Sequence, residues 1–120
     1  MPNQEPRRQV FQKTYRICSK KEINDLFQNG RYCTQGMLRF RFKTNNRTHF
    51  RLVISISKRV GKAPTRNRIK RLIRETLRQT EFIHQFSIDC AIFITHPPRK
   101  KPTLMEMKKR IHRFFDQLPV

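Results

Sequence analysis

The chain of 120 residues is long enough for one domain, and 28 Lys and Arg against 8 Asp and Glu give it a formal net charge of +20. Because self-repulsion of that size destabilises a compact monomer, we expect a polyanionic partner: nucleic acid, an anionic membrane surface or an acidic protein. No apolar run approaches the roughly 20 residues of a membrane span, and the N-terminus lacks the apolar segment of a secretory signal, so membrane contact would have to be peripheral. First in the chain, residues 1–14 predict a basic, disordered arm, and we expect a single domain over residues 15–120.

A short amphipathic helix follows the arm. Ser19 and Glu22 have the spacing of a capping box at its start. The apolar residues of one face then recur a helical turn apart: Ile23, Leu26 and Phe27. Asn29-Gly30 is a stop signal, which predicts that the helix ends there.

Strands come next. In residues 38–43 (LRFRFK) apolar and cationic side chains alternate, and in residues 50–57 (FRLVISIS) a second alternating run follows. Asn45-Asn46 suits a tight turn between them, which predicts a hairpin. Residues 31–34 are a candidate for one more short strand. Phe40 and Phe42 point to the apolar side, so we expect them in the core.

A strongly basic helix is predicted over residues 65–79. At about 100° per residue, one arc of roughly 140° is apolar and suits docking on a sheet: Ile69, Leu72, Ile73, Thr76 and Leu77. The adjoining arc carries cations and one amide: Arg66, Asn67, Lys70, Arg71, Arg74 and Arg78. Solvated helices usually mix charge signs, so this one-sided face favours phosphate binding. Gly61, Pro64 and the free N–H groups of the first turn add an anion-attracting helix entry.

The remaining elements complete an α+β pattern. Residues 86–95 have a near-continuous apolar run, typical of a central strand covered on both faces. A last helix opens at the capping-box pair Thr103 and Glu106, and Pro119 ends it. The predicted fold is a small α/β sandwich in the order α-β-β-(β)-α-β-α.

Side chains for polypeptide-centred chemistry are scattered. The four histidines have no partner spacing for nucleophilic or acid–base work: His49, His84, His96 and His112. The acids are dispersed as well, so no carboxylate cluster for two metals is evident. The three cysteines match neither a disulfide framework nor a zinc pattern and predict reduced thiols that fill the core of a cytoplasmic protein: Cys18, Cys33 and Cys90.

Residues 58–75, KRVGKAPTRNRIKRLIRE, resemble the signature of the bacterial ribonuclease P protein component, which is built around an RNR core. The resemblance extends over the whole chain, from the short first helix to the last amphipathic one. It implies an α/β sandwich with a left-handed β-α-β crossover, whereas general handedness rules favour a right-handed one.

Proteins of that family are the small subunit of a ribonucleoprotein that removes the 5′ leader of precursor tRNA. The resemblance implies that the RNA subunit carries catalysis and holds most of the Mg²⁺, that the polypeptide has no catalytic residues, and that no organic cofactor takes part. The expected partners are the ribonuclease P RNA subunit and precursor tRNA, without a membrane or an obligate protein partner. A general basic RNA-binding protein, for instance ribosomal, is the alternative that composition alone permits.

The resemblance also assigns two sets of site residues. The contacts to the RNA subunit fall on the signature: Lys58, Lys62, Arg66, Asn67, Arg68, Lys70, Arg71 and Arg74. The leader would lie in a cleft between the first helix and one face of the sheet: Ile23, Phe27, Arg51, Ser55 and Ser57, with Arg39 and Arg41 as further candidates. Ile23 stands where family members often have Phe, and it lacks the π-face on which a base stacks.

Overall fold

The computed structural model describes residues 15–80, 83 and 85–118, so the predicted arm over residues 1–14 lies outside the described part. Within these ranges the helices and strands follow the order α-β-β-β-α-β-α, which confirms the predicted α+β class and adds the short first strand. The elements are α1 (Lys20–Asn29), β1 (Arg31–Gln35), β2 (Leu38–Thr44), β3 (Arg51–Ile56), α2 (Ala63–Arg78), β4 (Ile88–Ile94) and α3 (Leu104–Gln117). One turn of 3-10 helix, Lys58–Val60, precedes α2.

Two of the helices begin at the predicted caps. The Ser19 hydroxyl accepts a hydrogen bond from the backbone N–H of Glu22 at 3.3 Å, and the Thr103 hydroxyl accepts one from Glu106 at 3.2 Å. The reciprocal half of the predicted capping boxes is different, because both glutamate carboxylates pair with arginines instead. Each cap therefore satisfies one orphan N–H of its helix. The Glu22 carboxylate is left for a tertiary contact with Arg51 of β3, and the Glu106 carboxylate pairs with Arg110 one turn further along α3.

The basic helix α2 starts two residues earlier than predicted, at Ala63. Pro64 therefore occupies the second helical position, where its missing N–H costs no hydrogen bond. The predicted stop of the last helix at Pro119 lies outside the described residues, and α3 ends at Gln117 with Leu118 as its cap.

The four strands form one sheet in the order β1-β2-β4-β3, and this order contradicts the predicted hairpin across Asn45-Asn46. β4 lies between the two expected partners, antiparallel to β2 and parallel to β3. The most apolar strand takes the centre because both of its faces are covered. Asn45 instead ties the loop to β4, since its side-chain amide donates to Asp89 Oδ1 at 2.8 Å.

The hairpin of this sheet joins β1 and β2. Gly36 in its turn has φ 61°, a left-handed conformation that favours glycine. A Cβ there would lie 2.5 Å from the guanidinium carbon of Arg110, but this group is the end of a flexible side chain, so the positive φ is the stronger reason for glycine. β3, α2 and β4 form a parallel β-α-β unit, whose left-handed connection stays a prediction from the resemblance.

The sheet separates two apolar clusters. The larger one joins one sheet face to α2 and α3, and includes Phe40, Ile73, Ile92 and Phe114, with Phe42 partly buried beside it. Phe40 and Phe114 stack with ring centroids 4.1 Å apart, which confirms the predicted core role of the β2 aromatics. The smaller cluster lies under α1 on the opposite face, and consists of Ile17, Leu26 and Ala91 with Ile23, Phe27 and Val53 partly buried. The second face is therefore less completely covered.

The cysteines are free thiols in different settings. Cys90 is buried and Cys33 is half-buried, but Cys18 is exposed, so the expectation that all three fill the core is wrong for Cys18. Burial raises the pKa of the Cys90 thiol, which favours its neutral form. None of the helices in the described ranges is long and apolar enough to cross a membrane.

Candidate nucleic-acid interface

The amphipathic division of α2 is as predicted. Ile69, Ile73, Thr76 and Leu77 are buried, and Leu72 is partly buried against the same cluster. The Thr76 hydroxyl donates a hydrogen bond to the carbonyl of Leu72 at 2.9 Å, and this bond allows a polar residue on the buried face. The helix is thereby fixed with its cations outward.

Those cations line a groove of about 480 Å³, called here the cationic groove. Its residues are Arg16, Asn67, Lys70, Arg71, Arg74, Glu75 and Arg78. The one carboxylate among them, Glu75, is ion-paired with Arg78 and accepts a hydrogen bond from Gln79 at 2.9 Å. The hydrogen bond from Arg78 lowers the pKa of Glu75 despite its partial burial. The charge of Glu75 is thus neutralised by Arg78, and Lys70, Arg71 and Arg74 of α2 give the groove a positive charge that suits an anion.

The predicted RNA-subunit residues do not all share this groove. Asn67, Lys70, Arg71 and Arg74 line it, whereas Arg66 turns back and donates from Nε to the carbonyl of Gly61 at 3.1 Å. Arg68 extends the other way and donates from Nη2 to the carbonyl of Pro102 at 3.1 Å. The remaining two predicted residues, Lys58 and Lys62, are exposed at the helix entry. The RNR core therefore spreads over three sides of the first turns.

Each arginine of the RNR core keeps donors to spare. A guanidinium has five N–H groups, and the described bonds of Arg66 and Arg68 use one donor each. The intramolecular bonds fix the side-chain direction, and the outer fork can still bind a phosphate in two-point fashion. The free N–H groups at the start of α2 add partial positive charge beside them.

The second predicted site lies where α1 crosses the sheet. Phe27 packs edge-to-face on Phe93, with ring centroids 5.2 Å apart, and both residues are partly buried. Ile23 lies in the same small cluster, and Ser55 is exposed on β3. An aromatic pair open to solvent beside a polar strand edge is a surface on which a base can stack.

Arg51 lies under α1 and is nearly fully buried, with 6% of its surface exposed. It donates from Nε and Nη2 to the Asp89 carboxylate at 2.9 and 2.7 Å, and from Nη2 to Glu22 on α1 at 2.9 Å. Burial alone would raise the pKa of Asp89, but the hydrogen bonds from Arg51 and Asn45 outweigh it and hold the pKa below its ordinary value. The hydrogen bonds that Arg51 donates to Asp89 raise the pKa of Arg51 despite its burial. The ion pairs of Arg51 therefore connect α1 to the sheet.

Other predicted cleft residues are also held in place. Ser57 caps the 3-10 turn by accepting from the N–H of Arg59 at 3.2 Å. Arg39 donates to the hydroxyl of Tyr32 at 3.1 Å, and the guanidinium of Arg41 lies 5.1 Å from the centre of the same ring. The Arg41 Nε is buried and lacks a hydrogen-bond partner among the described residues. The open part of this face thus carries the aromatic ring of Tyr32 and the guanidinium groups of Arg39 and Arg41, which a polyanion can approach.

The sequence reasoning missed two residues that the fold brings to these surfaces. Arg16 lies in the cationic groove, although it precedes the signature by more than forty residues. Phe93 supports Phe27, although it sits within an apolar run whose neighbours are core residues. Strict alternation along β4 predicts that Phe93 lies on the opposite face of the sheet from Ile92 and Ile94. The position of Phe93 could therefore have been predicted from the sequence. Nothing local in the sequence indicates the position of Arg16.

The structure is thus a small basic α+β domain with a cationic groove on α2 and a partly open sheet face beside α1. A model of the family Ribonuclease P matches residues 11–119. The chain belongs to the ribonuclease P protein family.

Individual relatives agree with this assignment. The chain is 37% identical over 102 residues to a ribonuclease P protein component from Macrococcus caseolyticus, covering 84% of this chain and 87% of that one. It is 35% identical over 100 residues to the one from Staphylococcus haemolyticus, covering 82% and 84%. The fold is similar to that of the Staphylococcus aureus ribonuclease P protein, with a TM-score of 0.72, 27% identity and coverage of 87% and 94%. The Thermotoga maritima protein shares the fold at a TM-score of 0.74 and 20% identity, covering 88% and 98%.

Proposed function

We propose that this chain is the protein subunit of a bacterial ribonuclease P, which binds the catalytic RNA subunit and the 5′ leader of precursor tRNA. The observation that carries the proposal is the cationic groove on α2, in a chain of this family, where the one acid is already paired with Arg78. A surface with uncompensated Lys and Arg along one helix face gains most from phosphates of a folded RNA. The expected place of action is the cytoplasm.

The leader is proposed to lie on the opposite surface, between α1 and the exposed part of the sheet. Phe27 with Phe93 supplies an aromatic platform, and Arg41 beside Tyr32 supplies positive charge. Ser55 offers a hydroxyl at the strand edge. Ile23 and Arg51 shape this surface by packing and by ion pairing, respectively. The protein would thus hold the RNA subunit with one side and the substrate with another.

Cleavage is proposed to occur on the RNA, where bound Mg²⁺ stabilises the charge that develops on the scissile phosphate. The protein's own carboxylates suit this division, because the acids nearest the two surfaces are committed to cations: Glu22, Asp25, Glu75 and Asp89. The chain then contributes indirectly, by holding the leader and by neutralising phosphate repulsion between the two RNAs. Tighter Mg²⁺ binding follows from the better-aligned phosphates.

The alternative, a general basic RNA-binding protein, is tested by competition. Labelled ribonuclease P RNA from the same organism is bound to the protein, and excess ribosomal RNA fragments of similar length are added at near-physiological salt. We expect the complex to survive, because a groove fitted to one RNA adds contacts beyond bulk charge. Equal displacement by both RNAs would favour the general binder.

The leader surface is tested by replacing Phe27 with Ala. Loss of the stacking platform should weaken precursor tRNA binding to the reconstituted particle by roughly five- to 150-fold, since stacking is worth about 1–3 kcal/mol per base. Binding of mature tRNA, which has no leader, should change little. Both affinities are measured by equilibrium binding in the same buffer.

A matched variant separates stacking from packing. Phe27→Leu keeps an apolar side chain against Phe93 and lacks the aromatic face. We expect it to fold like the parent and to lose most of the preference for precursor tRNA. If Leu restored that preference, or if Ala weakened both tRNAs equally, Phe27 would be a packing residue only.

A further inference from the structure

Tyr32 is an aromatic side chain that the fold leaves open to solvent. Its exposed fraction is 50%, and only Met105 joins it as an exposed large hydrophobic residue in the described part of the chain. Two arginines hold the ring: Arg39 donates from Nη1 to its hydroxyl at 3.1 Å, and the guanidinium of Arg41 lies over it, 5.1 Å from the ring centre. A ring fixed in this way loses little conformational freedom when a ligand stacks on it.

This ring lies on the α1 side of the sheet. Phe40 of β2 is buried in the larger cluster with α2 and α3, so strand alternation points its neighbours Arg39 and Arg41 to the opposite face. Arg39 is the direct partner of Phe93 in the β2–β4 pair, and Phe93 is the residue on which Phe27 of α1 packs. The tyrosine, which contacts both arginines, therefore shares a face with the proposed leader surface.

The positive charge of Arg39 and Arg41 is not neutralised by the protein's own carboxylates. Lys43, the next cation on the same face of β2, is paired with Asp25. The ion pairs between described residues include neither of the two arginines. They lie two residues apart on one strand, about 7 Å between Cα atoms, so their charges repel each other. A phosphate beside them would relieve this repulsion.

Stabilisation of the sheet accounts for only part of this arrangement. Tyr32 and Arg41 are direct partners in the β1–β2 pair, where a cation over a ring is stabilising. That contact needs one arginine. Arg39 adds a second guanidinium at the hydroxyl end of the ring, and its described hydrogen bond uses one of its five donors. The other donors suit a phosphate.

The tyrosine ring is a second aromatic platform at a distance from the first. Phe93 and Tyr32 are two strand spacings of about 4.8 Å apart across the sheet and two residues of about 3.4 Å apart along it. Their backbones are thus roughly 12 Å apart, whereas neighbouring bases in a stacked strand are about 3.4 Å apart. Bases on both platforms must therefore belong to an extended, unstacked strand, such as single-stranded RNA provides.

The positions of the helices give the order in which RNA meets the two platforms. α2, which carries the proposed contacts to the RNA subunit, packs beside β3, whereas α3 packs beside β1. The strand order is β1-β2-β4-β3. A leader that emerges from the RNA subunit near β3 therefore reaches Phe93 on β4 first and Tyr32 at the β1 edge later.

We propose that Tyr32, Arg39 and Arg41 form a second binding site for the leader, which takes a nucleotide further from the cleavage site than the one on Phe27 and Phe93. The base stacks on the exposed tyrosine ring, and the phosphate binds the two arginines. This inference rests on the proposed function and deepens it, because it adds a second base contact, a direction for the leader and a dependence on leader length.

The second site is tested with precursor tRNAs whose leaders are shortened one nucleotide at a time from the 5′ end. Their affinity for the particle reconstituted with the full chain is measured for the parent and for Tyr32→Leu. In the parent, affinity should rise in two steps as the leader lengthens. Tyr32→Leu should remove the second step, a loss of roughly five- to 150-fold for long leaders, and should follow the parent for shorter ones.

Three further variants separate stacking, charge and general surface effects. Tyr32→Phe keeps the ring and should retain most of the second step. Met105→Ala removes the other exposed large hydrophobic side chain, on α3, and should follow the parent at every leader length. Arg39→Gln should lower the slope of log affinity against log salt by roughly 0.7, the value for one phosphate contact of a single strand, with long leaders only.

A parental second step in Tyr32→Leu would overturn the second site, and so would an equal loss for all leader lengths and for mature tRNA. Complete loss of the second step in Tyr32→Phe would overturn stacking, and an unchanged slope in Arg39→Gln would overturn the phosphate contact. In each of these outcomes the parent still prefers precursor tRNA, so the proposed function stands. A parent that gained no affinity from a leader of any length would contradict the proposed function itself.

Discussion

Replacing Arg66 and Arg68 together by Gln is expected to weaken binding to the RNA subunit by about 3–6 kcal/mol, because each charge-assisted hydrogen bond contributes about 1.5–3 kcal/mol. The two side chains leave the start of α2 in different directions, held by the carbonyls of Gly61 and Pro102. They should therefore contact different phosphates. The slope of log affinity against log salt should fall by roughly 1.4–1.8, twice the value of one contact.

The control removes the same charge from another surface. Lys108→Gln with Lys109→Gln also lowers the net charge by two, at exposed positions on α3. We expect a small, uniform loss of affinity and little change in slope from this pair. If both double variants changed the slope equally, total charge would explain the binding and the α2 surface would have no special role.

Replacing Arg51 by Met is expected to lower the free energy of unfolding by about 3 kcal/mol. The change removes one partner of a buried pair and deprives the carboxylate of Asp89 of the two hydrogen bonds from Arg51, while the bond from Asn45 remains. Breaking such a pair typically costs about 3–5 kcal/mol, and the lower end applies because 17% of the Asp89 side chain is exposed. The bond to Glu22 adds little, since that side chain is 42% exposed. Denaturant unfolding at neutral pH measures the difference.

The exposed pair of Lys43 and Asp25 provides the matched control. Lys43→Met should cost less than about 1 kcal/mol, because both members of this pair face solvent. Adding Asp89→Leu to Arg51→Met should recover part of the lost stability, since removing both partners removes the uncompensated charge. If the double variant also keeps its preference for precursor tRNA, Arg51 supports the leader surface from below. A specific loss of that preference in the folded double variant would make Arg51 a leader contact.

The pair of Arg51 and Asp89 makes the stability of the fold depend on pH. The folded pKa of Asp89 lies below its ordinary value of about 4, so the pair stabilises the fold above that pH. Its contribution is lost as the pH falls from about 4 through the lower, folded pKa. In the Arg51→Met variant the remaining burial should raise the pKa of Asp89, and this acid-labile part of the stability should disappear.

Local patterns predicted the elements of the fold but not their neighbours. The caps at Ser19 and Thr103 and the buried face of α2 depend on residues close in sequence, and all were correct. The hairpin across Asn45-Asn46 was wrong because pairing was decided by β4, which lies more than forty residues further on. Its apolar run required two strand neighbours, and that requirement outweighed the turn signal.

The candidate site, like the fold, was only partly predictable from the sequence. The polar side chains of α2 share one face because a helix repeats every 3.6 residues, so the amide of Asn67 and the cations Lys70, Arg71 and Arg74 could be grouped from sequence. Arg16 joins them through a bridge to β3 that no local pattern indicates. Strand alternation predicted that Arg51 and Leu52 lie on opposite faces of β3, which is correct, because Arg51 contacts α1 and Leu52 belongs to the other cluster. The leader role of Arg51 came from the resemblance and stays a prediction. Alternation could not show that Asp89 would occupy its guanidinium.

Cleavage of precursor tRNA at low Mg²⁺ tests the central claim most directly. The organism's ribonuclease P RNA is incubated with precursor tRNA alone, with the parent protein, and with the Arg66→Gln/Arg68→Gln variant. We predict slow or absent cleavage by the RNA alone, efficient release of the intact leader with the parent protein, and a markedly slower reaction with the variant. Equal cleavage with and without the parent protein at every Mg²⁺ concentration would contradict the account.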